Sequence, residues 1–89
     1  MKKQHPGRIL YEQFLKPKGI SQNGLARELG VPPRRINEII LGKRGISADT
    51  ALRLARHFGN AASYWMELQS EFDLHLAKKA LTARIEAHG

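Results

Sequence analysis

The chain has 89 residues, 42% of them hydrophobic, and no cysteine. That permits one small core and excludes a disulfide scaffold, a Cys-ligated zinc site and a thiol nucleophile. The formal net charge of +7 points to polyanionic partners, and its whole surplus lies in residues 1–45, because residues 46–89 hold five cations and five acids.

Without staples, so short a chain must fold by dense local packing, which favours an all-α domain spanning 1–89. No run of about 18 apolar residues exists to span a membrane, and no apolar segment follows Met1-Lys2-Lys3 as in a signal peptide. The expected compartment is the cytoplasm, with the protein associated with the nucleoid.

Punctuation predicts five helices. His5-Pro6-Gly7 opens the first, since proline is tolerated where its missing N–H would be unpaired. Ile9, Leu10, Phe14 and Leu15 recur at helical spacing, and Lys16-Pro17-Lys18-Gly19 stops it. Ser21 caps a second helix with Leu25, Ala26 and Leu29 as its stripe, and Gly30 fits a left-handed C-cap. Pro32-Pro33 starts a third, with Ile36, Ile39 and Ile40 inward and Gly42 at its end. Ser47 caps a fourth carrying Ala51, Leu52, Leu54, Ala55 and Phe58, closed by Gly59. Asn60 helps open a fifth, predicted over about 62–87, with Trp65, Leu68, Phe72, Leu76, Leu81 and Ile85.

Residues 21–41 fit a helix-turn-helix. Two helices crossing at about 90–120° need a small residue at closest approach, here Ala26. The tight turn favours a residue that tolerates positive φ, here Gly30. Val31, Ile36 and Ile39 fill the angle, with Leu25 and Leu29 behind. An ordinary αα-hairpin requires neither this offset pattern nor this charge bias.

At 100° per residue, Arg34, Asn37, Glu38 and Leu41 face outward on the third helix, with Arg35 on the flank. Arg34 and Arg35 occupy the first turn, where the helix dipole disfavours cations and an approaching anion reverses that cost. Arg34, Asn37 and Glu38 are the candidate base readers: arginine can engage guanine O6 and N7 together, and a carboxylate can accept from a cytosine amino group. The competing reading pairs Arg34 with Glu38 at i,i+4. Gln22 at the second helix's N-terminus, Arg35, and Lys43 and Arg44 in the following loop are the candidate phosphate contacts. Lys43 and Arg44 can equally form a solvated loop. Lys2, Lys3 and Arg8 form either a loose basic arm or a solubilising terminus.

His5, His57, His75 and His88 show no metal-ligand spacing, so neither a metal, a cofactor nor catalysis is expected. Trp65 and Leu68 are expected to cover the core. Phe72, Leu76, Leu81 and Ile85 are the candidate dimer interface, since such reading heads pair on palindromic sites about one helical turn apart.

These motifs resemble the HigA-type antitoxins, within the phage-repressor-like helix-turn-helix superfamily. The resemblance extends to about residue 75. It rests on His5-Pro6-Gly7 leading into Ile9-Leu10, on Leu25-Ala26, Leu29-Gly30-Val31 and Arg35-Ile36-Asn37-Glu38-Ile39, and on Gly42-Lys43-Arg44-Gly45-Ile46-Ser47-Ala48. Ala51-Leu52-Arg53-Leu54-Ala55, Trp65, Leu68-Gln69 and Phe72-Asp73-Leu74 complete it. It implies a five-helix lambda-repressor-like DNA-binding domain with an extended C-terminal helix. It further implies a homodimer on double-stranded operator DNA that represses its own operon and neutralises a HigB-like toxin, a small ribosome-dependent mRNA endonuclease. Toxin binding is implied by the resemblance alone.

The chain departs from the family pattern at Arg8, often Glu, and at Leu41, commonly Asn. Pro32 stands where Ser or Thr often caps the recognition helix, and Pro32-Pro33 removes two backbone donors from a possible phosphate contact. The alternatives are a stand-alone repressor without a toxin, and a toxin inhibitor with a vestigial DNA-binding head.

Overall fold

The computed structural model describes residues 4–88, so the candidate basic arm at Lys2 and Lys3 lies outside the described residues, as does the side chain of His88. Helix α1 (Pro6–Ile9) passes without a break into a π-helical segment, Leu10–Leu15. Then come α2 (Gln22–Leu29), α3 (Pro33–Ile40), α4 (Ala48–Phe58) and α5 (Ala62–His88). The described residues are all-helical, in five helices with no strand.

The caps follow the sequence. Ser21 Oγ accepts from Gly24 N and Ser47 Oγ from Thr50 N. Gly30 and Gly59 take left-handed conformations at φ 72° and 73°, where a Cβ is disfavoured, and so end α2 and α4. Just before α5, Asn60 Oδ1 accepts from Trp65 Nε1 at 3.0 Å, satisfying the indole of a fully buried tryptophan.

The π-helical segment is the main departure from the predicted first helix. Lys16 N donates to Tyr11 O, five residues back, at 2.8 Å. An i→i+5 turn brings residues five apart near one face, which suits Leu10 and Leu15, both fully buried. An α-helix would turn them roughly 140° apart.

The core joins these leucines to Leu25, Ala26, Leu29, Val31, Ile36, Ile39, Ile46, Ala51, Leu54 and Trp65. Phe14 lies 4.9 Å from the Trp65 ring and 5.0 Å from Phe58, tying the first helix to α4 and α5. Trp65 and Leu68 pack as expected. Leu52 does not: it is 63% exposed, because α4 buries Thr50, Ala51 and Leu54 and turns Leu52 to solvent.

Candidate nucleic-acid interface

The helix pair that presents the interface is held at three points. Between α2 and α3, Val31 N donates to Ala26 O at 3.0 Å across the Gly30 turn. Behind α3, Gly7 packs backbone to backbone: a Cβ there would lie 1.8 Å from Ile39 O. The His5 imidazole Nδ1 accepts from Gly7 N at 2.9 Å and caps α1. The His-Pro-Gly sequence therefore seats the first helix on the back of α3. Burial lowers the His5 pKa below its ordinary 6.5, against an opposing pull from Asp73.

The third point is the loop after α3. Gly42 has φ 77°, and Lys43 N donates to Glu38 O at 2.8 Å, folding the chain back over the helix end. Gln69 on α5 then accepts from Ile46 N at 2.7 Å and donates to Asp73 Oδ1 at 2.9 Å. A Cβ at Gly45 would lie 3.0 Å from the Gln69 amide, so glycine leaves space for this clamp. Lys43 and Arg44 are thus carried on a loop fixed to the longest helix.

On the outward side of α3, the Arg34 side chain is 84% exposed and its Nε lies 3.2 Å from Glu38 Oε2. Glu38 Oε1 lies 2.8 Å from Arg44 Nη2. Hydrogen bonding from Arg34, and then the nearby charge of both guanidiniums, holds the Glu38 carboxyl below its ordinary range. Asn37 Nδ2 donates to Gln22 Oε1, joining α3 to the first turn of α2. That bond leaves the Gln22 amide N–H groups and the Asn37 carbonyl oxygen able to meet other partners. Leu41 is 67% exposed on the same side.

Arg35 sits on the flank as expected, but it is engaged. Its Nη1 lies 2.8 Å from Asp49 Oδ2, which also takes Arg53 Nε at 3.0 Å. Hydrogen bonding from Arg53, with a smaller contribution from Arg35, lowers the Asp49 pKa. Arg53 Nη1 donates onward to Leu29 O at 2.8 Å, satisfying a carbonyl at the end of α2. Lys43 has no ion-pair partner among the described residues, and Arg8 lies 3.9 Å from Glu12 on the first helix.

The fold therefore brings Gln22, Arg34, Asn37, Glu38, Leu41 and Arg44 to one side of the helix pair. Asp49, Arg53, Gln69 and the tight seat of Gly7 were missed as parts of the interface. The i,i+4 spacing of Asp49 and Arg53 was a usable signal, whereas Gln69 and Gly7 act on residues more than 20 positions away and leave no periodic trace. The candidate dimer residues stand apart, on α5. Phe72 is half-buried, its ring 4.9 Å from that of His5, while Leu76, Leu81 and Ile85 are 48%, 57% and 62% exposed.

Among the described residues no group of three His, Cys, Asp or Glu side chains is placed to hold a metal, and no helix is long and apolar enough to cross a membrane. A family model described as helix-turn-helix matches residues 12–65. Virulence-associated protein I of Dichelobacter nodosus is 53% identical over 75 residues, which is 84% of this chain and 69% of that protein. The structure of Pseudomonas aeruginosa antitoxin HigA with the higBA promoter superposes with a TM-score of 0.90 at 45% identity, covering 97% of this chain and 94% of that one. Antitoxin GraA in complex with its operator gives 0.88 at 40% identity, covering 98% and 88%.

Proposed function

The chain belongs to the helix-turn-helix family and within it to the HigA-type antitoxins, and from that membership we propose that it is a dimeric operator-binding repressor that also neutralises a small mRNA-endonuclease toxin. It is a DNA-binding antitoxin, not an enzyme. In this reading it acts in the cytoplasm, on the nucleoid, and controls its own operon.

The observation that carries the reading is the outward side of α3, where an arginine whose side chain is 84% exposed stands beside an Asn37–Gln22 bridge spanning both helices of the motif. Arg34 and Asn37 are assigned to base edges in the major groove. Gln22, Arg35, Lys43 and Arg44 are assigned to the phosphates on either side. For Arg35 that contact requires a phosphate to share or replace Asp49. Glu38 accepts from a cytosine amino group or acts through its arginines. Phe72, Leu76, Leu81 and Ile85 are assigned to the contact between subunits.

A gel-shift titration with the DNA upstream of the coding sequence tests this, with and without the product of the adjacent reading frame. The expected result is a salt-sensitive complex that persists against shuffled competitor, and co-purification of the neighbouring product with this chain. A complex without co-purification would leave a stand-alone repressor. Co-purification without a DNA complex would leave a toxin inhibitor alone.

A further inference from the structure

Glu38 is an acid between Arg34 and Arg44 on the side assigned to DNA, where an approaching phosphate backbone would repel it. Both of its oxygens are already committed: Oε2 to Arg34 Nε at 3.2 Å and Oε1 to Arg44 Nη2 at 2.8 Å. Its side chain is 24% exposed against 84% for Arg34, so the acid is the more buried partner of the pair.

We propose that Glu38 is a positioning residue, which anchors Arg34 through Nε so that its two terminal amines meet a guanine edge end-on, and that it does not itself read a base. The inference rests on the assignment of α3 to the major groove.

The geometry of the guanidinium supports it. Arginine can offer a bidentate partner either Nε with one terminal nitrogen or both terminal nitrogens. The carboxylate occupies Nε, so the end-on pair remains for O6 and N7 of guanine. An unanchored arginine with 84% of its side chain in solvent would sample many rotamers and lose that freedom on binding. Its neighbour on α3 offers a built-in comparison. Arg35 is also held by an acid, Asp49, yet is only 28% exposed and lies against α4. The same kind of pairing thus pins one arginine to the scaffold and aims the other outward. Through Arg44, Glu38 also fastens the Gly42–Gly45 loop to α3, a second handle beside Gln69.

The test compares the parent, R34A, E38Q and R34A/E38Q on a duplex of roughly 40 bp from immediately upstream of the coding sequence, long enough for two half-sites. A set of single base-pair substitutions in that duplex and a shuffled duplex serve as competitors. E38Q keeps the side-chain volume and removes the charge, and thermal melts verify folding. R34A is expected to lower discrimination at one G·C pair by about 10- to 100-fold. E38Q is expected to lower discrimination at that same pair by at least about threefold and to bind the shuffled duplex more tightly. Adding E38Q to R34A is expected to change discrimination no further, the non-additivity of a residue acting through another. Loss of discrimination at a different base pair, persisting in the R34A background, would make Glu38 a base reader and overturn the proposal. Unchanged discrimination in E38Q would overturn it too. If R34A itself discriminates like the parent at every position, the assignment of Arg34 as a base reader fails, and this inference with it, whereas α3 could still read through Asn37.

Discussion

At position 34 the side chain projects into solvent, whereas at position 43 a lysine without an ion-pair partner among the described residues follows the helix end; the two should fail differently. Arg34→Ala is expected to weaken binding to the cognate duplex by about 1–3 kcal/mol and to relax preference at one base pair. Lys43→Ala should weaken all duplexes alike and reduce the slope of log K against log salt by about one, readable from titrations at several salt concentrations. His5 carries a separate prediction. Its Nδ1 accepts from Gly7 N, which needs a neutral ring, and burial lowers its pKa below 6.5. The unfolded chain therefore takes up the proton first as pH falls. The stabilisation is present above 6.5 and is lost as pH drops through the lower folded value. His5→Asn keeps a capping acceptor without titrating. Between about pH 7.5 and 5.5 the parent's melting temperature is expected to fall more than that of the variant. The same sign holds at lower pH for Glu38 and Asp49, whose contributions are present above 4.5 and 3.8 and lost through their lowered folded values. Outward placement of Arg34 and Leu41 was legible from a helical wheel. The sharing of each acid between two arginines was not, because Arg44 and Asp49 reach α3 only once the loop and α4 are folded.

Helices are placed here by a few close approaches. Gly7 admits the Ile39 carbonyl where a Cβ would lie 1.8 Å away, so Gly7→Ala must push the first helix off α3. A loss of at least about 1–3 kcal/mol in denaturant titration is expected, together with loss of DNA binding. Gln69→Ala removes the acceptor for Ile46 N. It is expected to cost about 1 kcal/mol and to lower affinity for all duplexes by freeing the loop that carries Lys43 and Arg44. The starts and stops of α2, α3 and α4 could be read from Ser21, Gly30, Pro33, Gly42, Ser47 and Gly59, because caps and turns are local chemistry. The π-helical turn at Leu10–Leu15 could not, since it answers to the position of a core made by helices far along the chain. Leu52 shows the same limit: an apolar residue in a helical stripe turned to solvent by its neighbours' burial.

The molecule as a whole is elongated, 50 × 22 × 21 Å, with a radius of gyration of 14.8 Å against about 12 Å for a compact chain of this length. The excess comes from α5, whose 27 residues run about 40 Å and which from its middle onward exposes Leu74, Leu76, Leu81 and Ile85. Leu81→Asp with Ile85→Asp is expected to leave the helical spectrum and the core intact, to give a monomer in sedimentation, and to weaken operator binding. Charge divides along the sequence. The surplus of +7 lies in residues 1–45, +4 of it before α2 and +3 over α2, α3 and the loop after them, and α4 and α5 together add no net charge. The division between a basic first half and a neutral second half was legible in the order of residues. What α5 meets was not, since its exposed apolar stripe does not name the surface that covers it. The central claim is that the outward side of α3 reads DNA sequence. Its most direct test is a competition titration of the parent protein and R34A between the upstream duplex and a shuffled duplex of equal length at fixed salt. The expected result is a preference for the upstream duplex of at least about a thousandfold in the parent, sharply reduced in R34A. Equal affinity of the parent for both duplexes would contradict it.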